Sequence, residues 1–211
     1  MTNTSKRLIF KTLIHLVCGL WLALTFYWGI NDELGADPVE ALINFTGIGA
    51  VNLLILSLLM SPLAQKLRQP FFIQSRRLIG LYSFTYAVFH LMSFLVFEIQ
   101  LDIALFFSEL IKRPYITVGM VVFSVLFLLA ITSVNKIKVQ MGKRWQKLHN
   151  WVYLALPLAI LPYCWSIKLI TLQPALYILV TAFVLWLKRE KLFRRYKKKP
   201  GNKPGKLRAL G

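Results

Sequence analysis

The sequence predicts an all-α integral membrane protein, a bundle of six transmembrane helices with both termini in the cytoplasm. Three observations carry this. The chain of 211 residues is 57% hydrophobic, with a mean hydropathy of +0.59, where a soluble domain is about 45–50% apolar. Six apolar runs approach the ~20 residues that a helix needs to span a hydrocarbon core. Finally, charge is sorted by loop. Alternate loops and the two termini hold 23 of the 26 Lys and Arg, and the other loops hold seven of the eight acids. Basic loops stay in the cytoplasm, and a missed or extra span would scramble that sorting.

The elements follow in order. The first span is Leu8–Ile30; its length and its role in fixing topology mark it as a retained span rather than a signal peptide. An acidic, turn-rich loop from Asn31 to Pro38 follows, and Pro38 with Val39-Glu40-Ala41 is expected to open a short surface helix. Span two is Gly47–Ala64, where Gly47 and Gly49 allow close helix approach. A basic loop carries Lys66, Arg68, Arg76 and Arg77, and span three is Leu78–Phe97. Residues 98–114 alternate Leu, Ile and Phe with acids, as in a helix lying on the membrane surface. Span four is Tyr115–Val134. Span five is His149–Trp165, with kinks expected at Pro157 and Pro162, and span six is Leu172–Leu187. Residues 1–187 thus form one transmembrane domain. Residues 188–211 form a basic tail expected to lie against anionic lipid headgroups or simply to stay solvated.

A net charge of +18 does not indicate nucleic acid, because it is distributed by loop rather than gathered on one face. Cys18 and Cys164 sit in separate spans and form no disulfide framework. No phosphate-binding loop, dinucleotide glycine motif or zinc-ligand cluster occurs. The acids lie in loops or near span ends, which gives no basis for a proton-coupled transporter.

The three histidines, His15, His90 and His149, all lie in or beside apolar spans. An ionisable group in a bilayer faces protein, water or a ligand, and an imidazole can coordinate haem iron. For His90, in the middle of span three, a core histidine bonded to a neighbouring Ser, Thr or Tyr competes with a cofactor ligand. The scarcity of other polar groups at that depth favours the ligand. His149 is at the span border, where a histidine costs little, and His15 lies two turns into span one. At ~1.5 Å per residue, His90 and His149 differ in depth by roughly 15–20 Å, so they do not share one iron. Position 162 lies near the depth of His90, and Arg77 near that of His149. Arg76 and Arg77 either enforce topology or pair with an anionic cofactor such as haem through its propionates.

Several segments, in order and at matching intervals, resemble the MsrQ (YedZ) family within the ferric-reductase-like transmembrane group. They include Leu34-Gly35-Ala36-Asp37-Pro38-Val39, Phe45-Thr46-Gly47, Ser61-Pro62-Leu63-Ala64, Arg76-Arg77-Leu78-Ile79-Gly80-Leu81, Arg113-Pro114-Tyr115, Trp165-Ser166-Ile167-Lys168 and the collar Gly142-Lys143-Arg144-Trp145-Gln146-Lys147-Leu148-His149-Asn150. The resemblance covers nearly the whole chain. It implies a multi-pass subunit of the bacterial inner membrane carrying b-type haem and flavin mononucleotide (FMN). Electrons would come from the quinone pool or a flavin reductase. They would pass to a periplasmic molybdopterin-containing subunit of the MsrP type, which repairs methionine sulfoxide in envelope proteins. Substrate chemistry would then belong to that subunit. The acidic loops 31–45 and 98–114 are the expected docking surface. His90 and His149 carry over as haem ligands.

The chain departs from the family at one position. The family has a further histidine thirteen residues after the one matching His149, and here Pro162 stands there. Proline cannot ligate iron. Three outcomes are open: a five-coordinate haem on His90, substitution by Cys164 or a residue of another span, or loss of that haem. Two further functions also remain open: a membrane cytochrome reducing ferric iron or oxygen, and a non-redox transporter or assembly protein with structural histidines. Colour in the purified protein separates the last from the rest.

Overall fold

The computed structural model describes residues 3–166 and 172–196, and every element in them is helical. Helix α1 (Asn3–His15) runs through a π-helical turn at Leu16–Leu20 into α2 (Trp21–Ile30). Helices α3 (Pro38–Leu67) and α4 (Phe71–Ser93) form a hairpin, and a second π-turn at Phe94–Glu98 ends α4. Helix α5 (Ile103–Lys112) precedes α6 (Pro114–Ile131). Two short helices, α7 (Asn135–Met141) and α8 (Lys143–His149), lead to α9 (Val152–Ser166), and α10 (Leu172–Tyr196) follows.

Five of these segments are long and apolar enough to cross a membrane: Ser5–Ile30, Pro38–Leu67, Phe71–Glu98, Pro114–Ile131 and Leu172–Arg189. Span five differs from expectation. The chain turns at Asn150–Trp151, so His149 closes α8 and α9 keeps 15 residues, continuous through Pro157 and Pro162. The break accompanies a tie from Trp145: its Nε1 donates to the Thr132 carbonyl at 2.8 Å and holds α8 across the end of α6.

Two other boundaries move. Pro38 does not open a separate surface helix but is the first residue of α3. Asp37 caps it, its carboxylate accepting from the Glu40 N–H at 2.9 Å. The basic loop shrinks to a turn around Arg68, in the left-handed conformation (φ 53°), and Pro70. Arg76 and Arg77 therefore sit inside α4. Helix α10 continues past Leu187 to Tyr196, and the rest of the tail lies outside the described residues.

Helices α3 and α4 make the tightest pairing, and glycine permits it. A Cβ on Gly49 would lie 2.5 Å from Tyr86 Cδ1. Ser83 Oγ donates to the Ala50 carbonyl at 2.8 Å, and the Tyr86 hydroxyl donates to the Cys18 carbonyl at 2.9 Å, joining the π-turn between α1 and α2 to the pair. In a bilayer such close packing and interhelical hydrogen bonds replace the hydrophobic drive. The Gly49→Ala variant, which forces a methyl into a rigid ring, should lose about 1–3 kcal/mol. Thermal unfolding in detergent is expected to show a midpoint several degrees lower.

Two clusters form the core. One joins Leu58 of α3, Leu126 of α6, Leu156 of α9 and Val184 of α10; the other joins Cys18, Met60 and Ile79 from the α1 side. Helix α5 leans on α6. It exposes Ile103, Phe107 and Ile111 as a stripe one helical turn apart, as the sequence suggests for a surface helix.

Candidate functional site: a cavity at His90 and a basic cluster at His149

A cavity of about 460 Å³ opens between α3, α4, α6, α9 and α10, toward the acidic end of the bundle. That volume is in the range of cofactor sites, ~300–1,000 Å³. Its walls are apolar, Met120 included, with Asn44, His90, Tyr115, Tyr163 and Tyr177 among the exceptions, and Asp37, Glu40 and Glu98 at its mouth.

His90 is held from behind. Its Nδ1 lies 2.9 Å from the Ile43 carbonyl oxygen, one turn before Gly47 on α3. A carbonyl only accepts, so Nδ1 carries the proton and Nε2 keeps a lone pair. Metal-ligating histidines are oriented in this way, one ring nitrogen donating to a carbonyl or carboxylate while the other binds. Gly47 makes room for the ring, since a Cβ there would lie 3.0 Å from both Cε1 and Nδ1.

Ring and hydrogen-bond contacts set the levels of the helices. Phe84 of α4 sits 5.8 Å from Phe123 and 6.0 Å from Phe127 of α6, level with about residue 125. Six residues further along α4 is His90, and six back along antiparallel α6 is residue 119. His149 meets α6 at Thr132, 3.1 Å from Nε2 to Oγ1, and beyond the turn at Asn150–Trp151 α9 runs back along α6. His90 and Gly119 thus share one level, and Pro162 joins them in lining the cavity. Cys164 does not line it. Two residues beyond Pro162, it is about 200° around the helix, and the α9 prolines do not re-aim it into the cavity.

The same count puts Arg77 of α4 level with Thr132 and His149, about 20 Å from the His90 level. Here α4, α6 and α8 meet. Trp145 stacks on the His149 ring, centroids 4.0 Å apart and 28° between planes. Arg77 donates to Asn135 Oδ1 at 3.2 Å, and Arg76 donates to Ser61 Oγ at 3.4 Å. Lys138 Nζ lies over Trp145, 4.8 Å from the ring centroid. Burial, then the charges of Arg76 and Lys138, lowers the His149 pKa to about 4, so the imidazole is neutral and able to ligate at physiological pH. Among the described residues no carboxylate pairs with these cations; the ion pair there is Arg113–Glu109 on the acidic side. An anionic group suits this cluster. His149 as a ligand would use Nδ1 or give up Thr132.

His15 joins neither level group. It is exposed on the lipid side of α1, its Nδ1 2.7 Å from the Tyr82 hydroxyl of α4. Thr132, Trp145 and the Ile43 carbonyl were not visible as site components in the sequence. Only Gly47, as a mark of close approach, pointed toward the last.

Residues 46–160 match the family described as ferric reductase like transmembrane component. A Klebsiella pneumoniae protein named protein-methionine-sulfoxide reductase heme-binding subunit MsrQ is 41% identical over 199 residues. The match covers 93% of this chain and 98% of that protein.

Proposed function

The chain belongs to the MsrQ family, within the ferric reductase like transmembrane group, and on that premise we propose that it is a haem b electron-transfer subunit of a methionine sulfoxide reductase system. The observation that carries this is His90, its Nδ1 bonded to the Ile43 carbonyl, in the wall of a cavity large enough for a cofactor. A bound haem supplies a one-electron couple that tolerates a dry, apolar setting. His90 holds it at one level, and His149 is the ligand at the other. Arg76, Arg77 and Lys138 take an anionic group there, haem propionates or the phosphate of a flavin mononucleotide.

Six spans account for the charge sorting if the α9 segment crosses the membrane with the five long helices. Both termini are then cytoplasmic, in the bacterial inner membrane. The two levels lie one near each face, and the acidic mouth with Asp37, Glu40 and Glu98 opens to the periplasm. A periplasmic molybdopterin-containing reductase subunit of the MsrP type docks on that face and repairs oxidised proteins.

The electron donor is a quinol, and it arrives through lipid. The His15–Tyr82 pair presents hydrogen-bonding groups on the exposed side of α1. Gly19, whose added Cβ would lie 3.6 Å from the Tyr82 hydroxyl, keeps the approach open. The π-turn directly after His15 is a feature frequent at functional sites. His15 and Tyr82 would hydrogen-bond the quinol head; its oxidation releases two electrons, to the haem one at a time, and two protons, of which the His15 imidazole would accept one and water the other. In the His15→Ala and Tyr82→Phe variants, reduction by a soluble quinol should slow at least tenfold, while reduction by dithionite is unchanged. Equal slowing with both reductants would leave the pair a mere link between α1 and α4.

The test of the whole reading is a reduced-minus-oxidised absorption spectrum with haem quantitation on purified protein. Haem b dependent on His90 is expected. Colourless protein, after expression with adequate haem, would leave the histidines structural.

A further inference from the structure

We propose that the Met120 thioether is the second axial ligand opposite His90, taking the place that Pro162 leaves without a donor atom; this rests on the haem reading above. The level count puts residue 119 at about the height of His90, and Met120, the next residue, lines the same cavity on the wall formed by α6 and α9. Pro162 lies on that wall too.

Few donor atoms compete. The Tyr115 hydroxyl accepts from Arg113 NH1 at 3.1 Å, at the start of α6 and a turn closer to the acidic end. The Tyr177 hydroxyl donates to Asn52 Oδ1 at 2.9 Å. The Tyr163 ring is wedged edge-on against Tyr177, centroids 5.6 Å apart. Asn44 also lines the cavity, but a neutral amide is a weak iron ligand. Asp37, Glu40 and Glu98 line the mouth, and Asp37 is occupied in capping α3; as hard oxygen donors they favour ferric over ferrous iron, unlike a soft thioether. Met120 is soft and unbranched, and its three rotatable bonds let it reach into an irregular space. Beside it, Gly119 offers no side chain: a Cβ built there meets nothing within 4 Å. A thioether–imidazole pair is an established haem b ligation and raises the reduction potential above that of a bis-histidine pair.

The experiment uses full-length protein in detergent, in a His149→Ala background so that only the His90 site contributes. Ferric-state magnetic circular dichroism and electron paramagnetic resonance are recorded with haem stoichiometry and reduction potential. The parent should be low-spin with a thioether–iron charge-transfer band. Met120→Leu keeps the volume and removes the donor; it should bind the same haem in a high-spin state without that band. Met120→His should be low-spin, lack the band and have a lower potential. Adding Pro162→His to Met120→Leu should restore a low-spin bis-histidine signal. A high-spin parent, or a low-spin state that survives Met120→Leu and is lost in Tyr163→Phe, overturns the proposal while leaving the haem reading intact. Absence of His90-dependent haem overturns both.

Discussion

Replacing His90 with alanine is expected to remove the haem of the cavity and leave the bundle folded. In a His149→Ala background, no haem absorption should remain. The imidazole is a donor on one side, to the Ile43 carbonyl, and keeps a lone pair on the other, where the proposed haem would bind. Removing it would delete the proposed iron bond and the hydrogen bond together. The fold cost is the orphaned carbonyl, about 1–3 kcal/mol. The α3–α4 pairing retains the Ser83–Ala50 bond, the Ser57–Arg76 bond and the Tyr86 tie to the π-turn after α1, so helical content by circular dichroism should hold. Because ligation and backbone bonding reside in one ring, His90→Gln adds a second reading: it can keep the link to Ile43, yet it too should lose the haem. Full haem retention in both variants would mean that iron is not bound here.

The two-level arrangement was legible because depth in a membrane helix is arithmetic. Thirteen residues separate Arg77 from His90, and the α4–α6 ring contacts confirm that Arg77 belongs to the His149 level. Which arginine turns toward His149 was not legible. Arg76 and Arg77 differ by 100° around α4, and the packing of α4 on α3, through Gly49 and Gly80, sets that rotation. The break before α9 was hidden for a similar reason. The collar Lys143–His149 reads as helix and is helix, but its separation from α9 accompanies a contact from Trp145 to the far end of α6. Long-range contacts leave no local periodicity. At Pro38 the acids and Asn44 interrupt the apolar pattern, although Asp37-Pro38 is a sound helix start; the cap, not hydropathy, marked the boundary. Met120 had no signal at all in one dimension. A methionine in an apolar span looks like any packing residue until the structure places it in the wall of the cavity that His90 lines.

The converse experiment fills the cavity without touching a ligand. Gly119 shares the level of His90, and a Cβ there enters open space, in contrast to Gly47 and Gly49, where it would strike His90 or Tyr86. Gly119→Leu should therefore be tolerated by the fold. Leucine replaces a residue that costs about 1 kcal/mol in a helix, and it adds apolar contacts in a space that is otherwise unfilled. Unfolding temperature in the haem-free state should stay level or rise. The same side chain occupies the volume between His90 and the opposing wall, so haem binding at this site should fall at least tenfold. The pairing of unchanged or higher stability with lost cofactor is the diagnostic. A purely structural cavity gives the first without any haem to lose. A cofactor bound elsewhere gives full haem retention. A packing defect lowers both together. Titrating haem into the haem-free His149→Ala protein, with and without Gly119→Leu, separates these cases on one preparation.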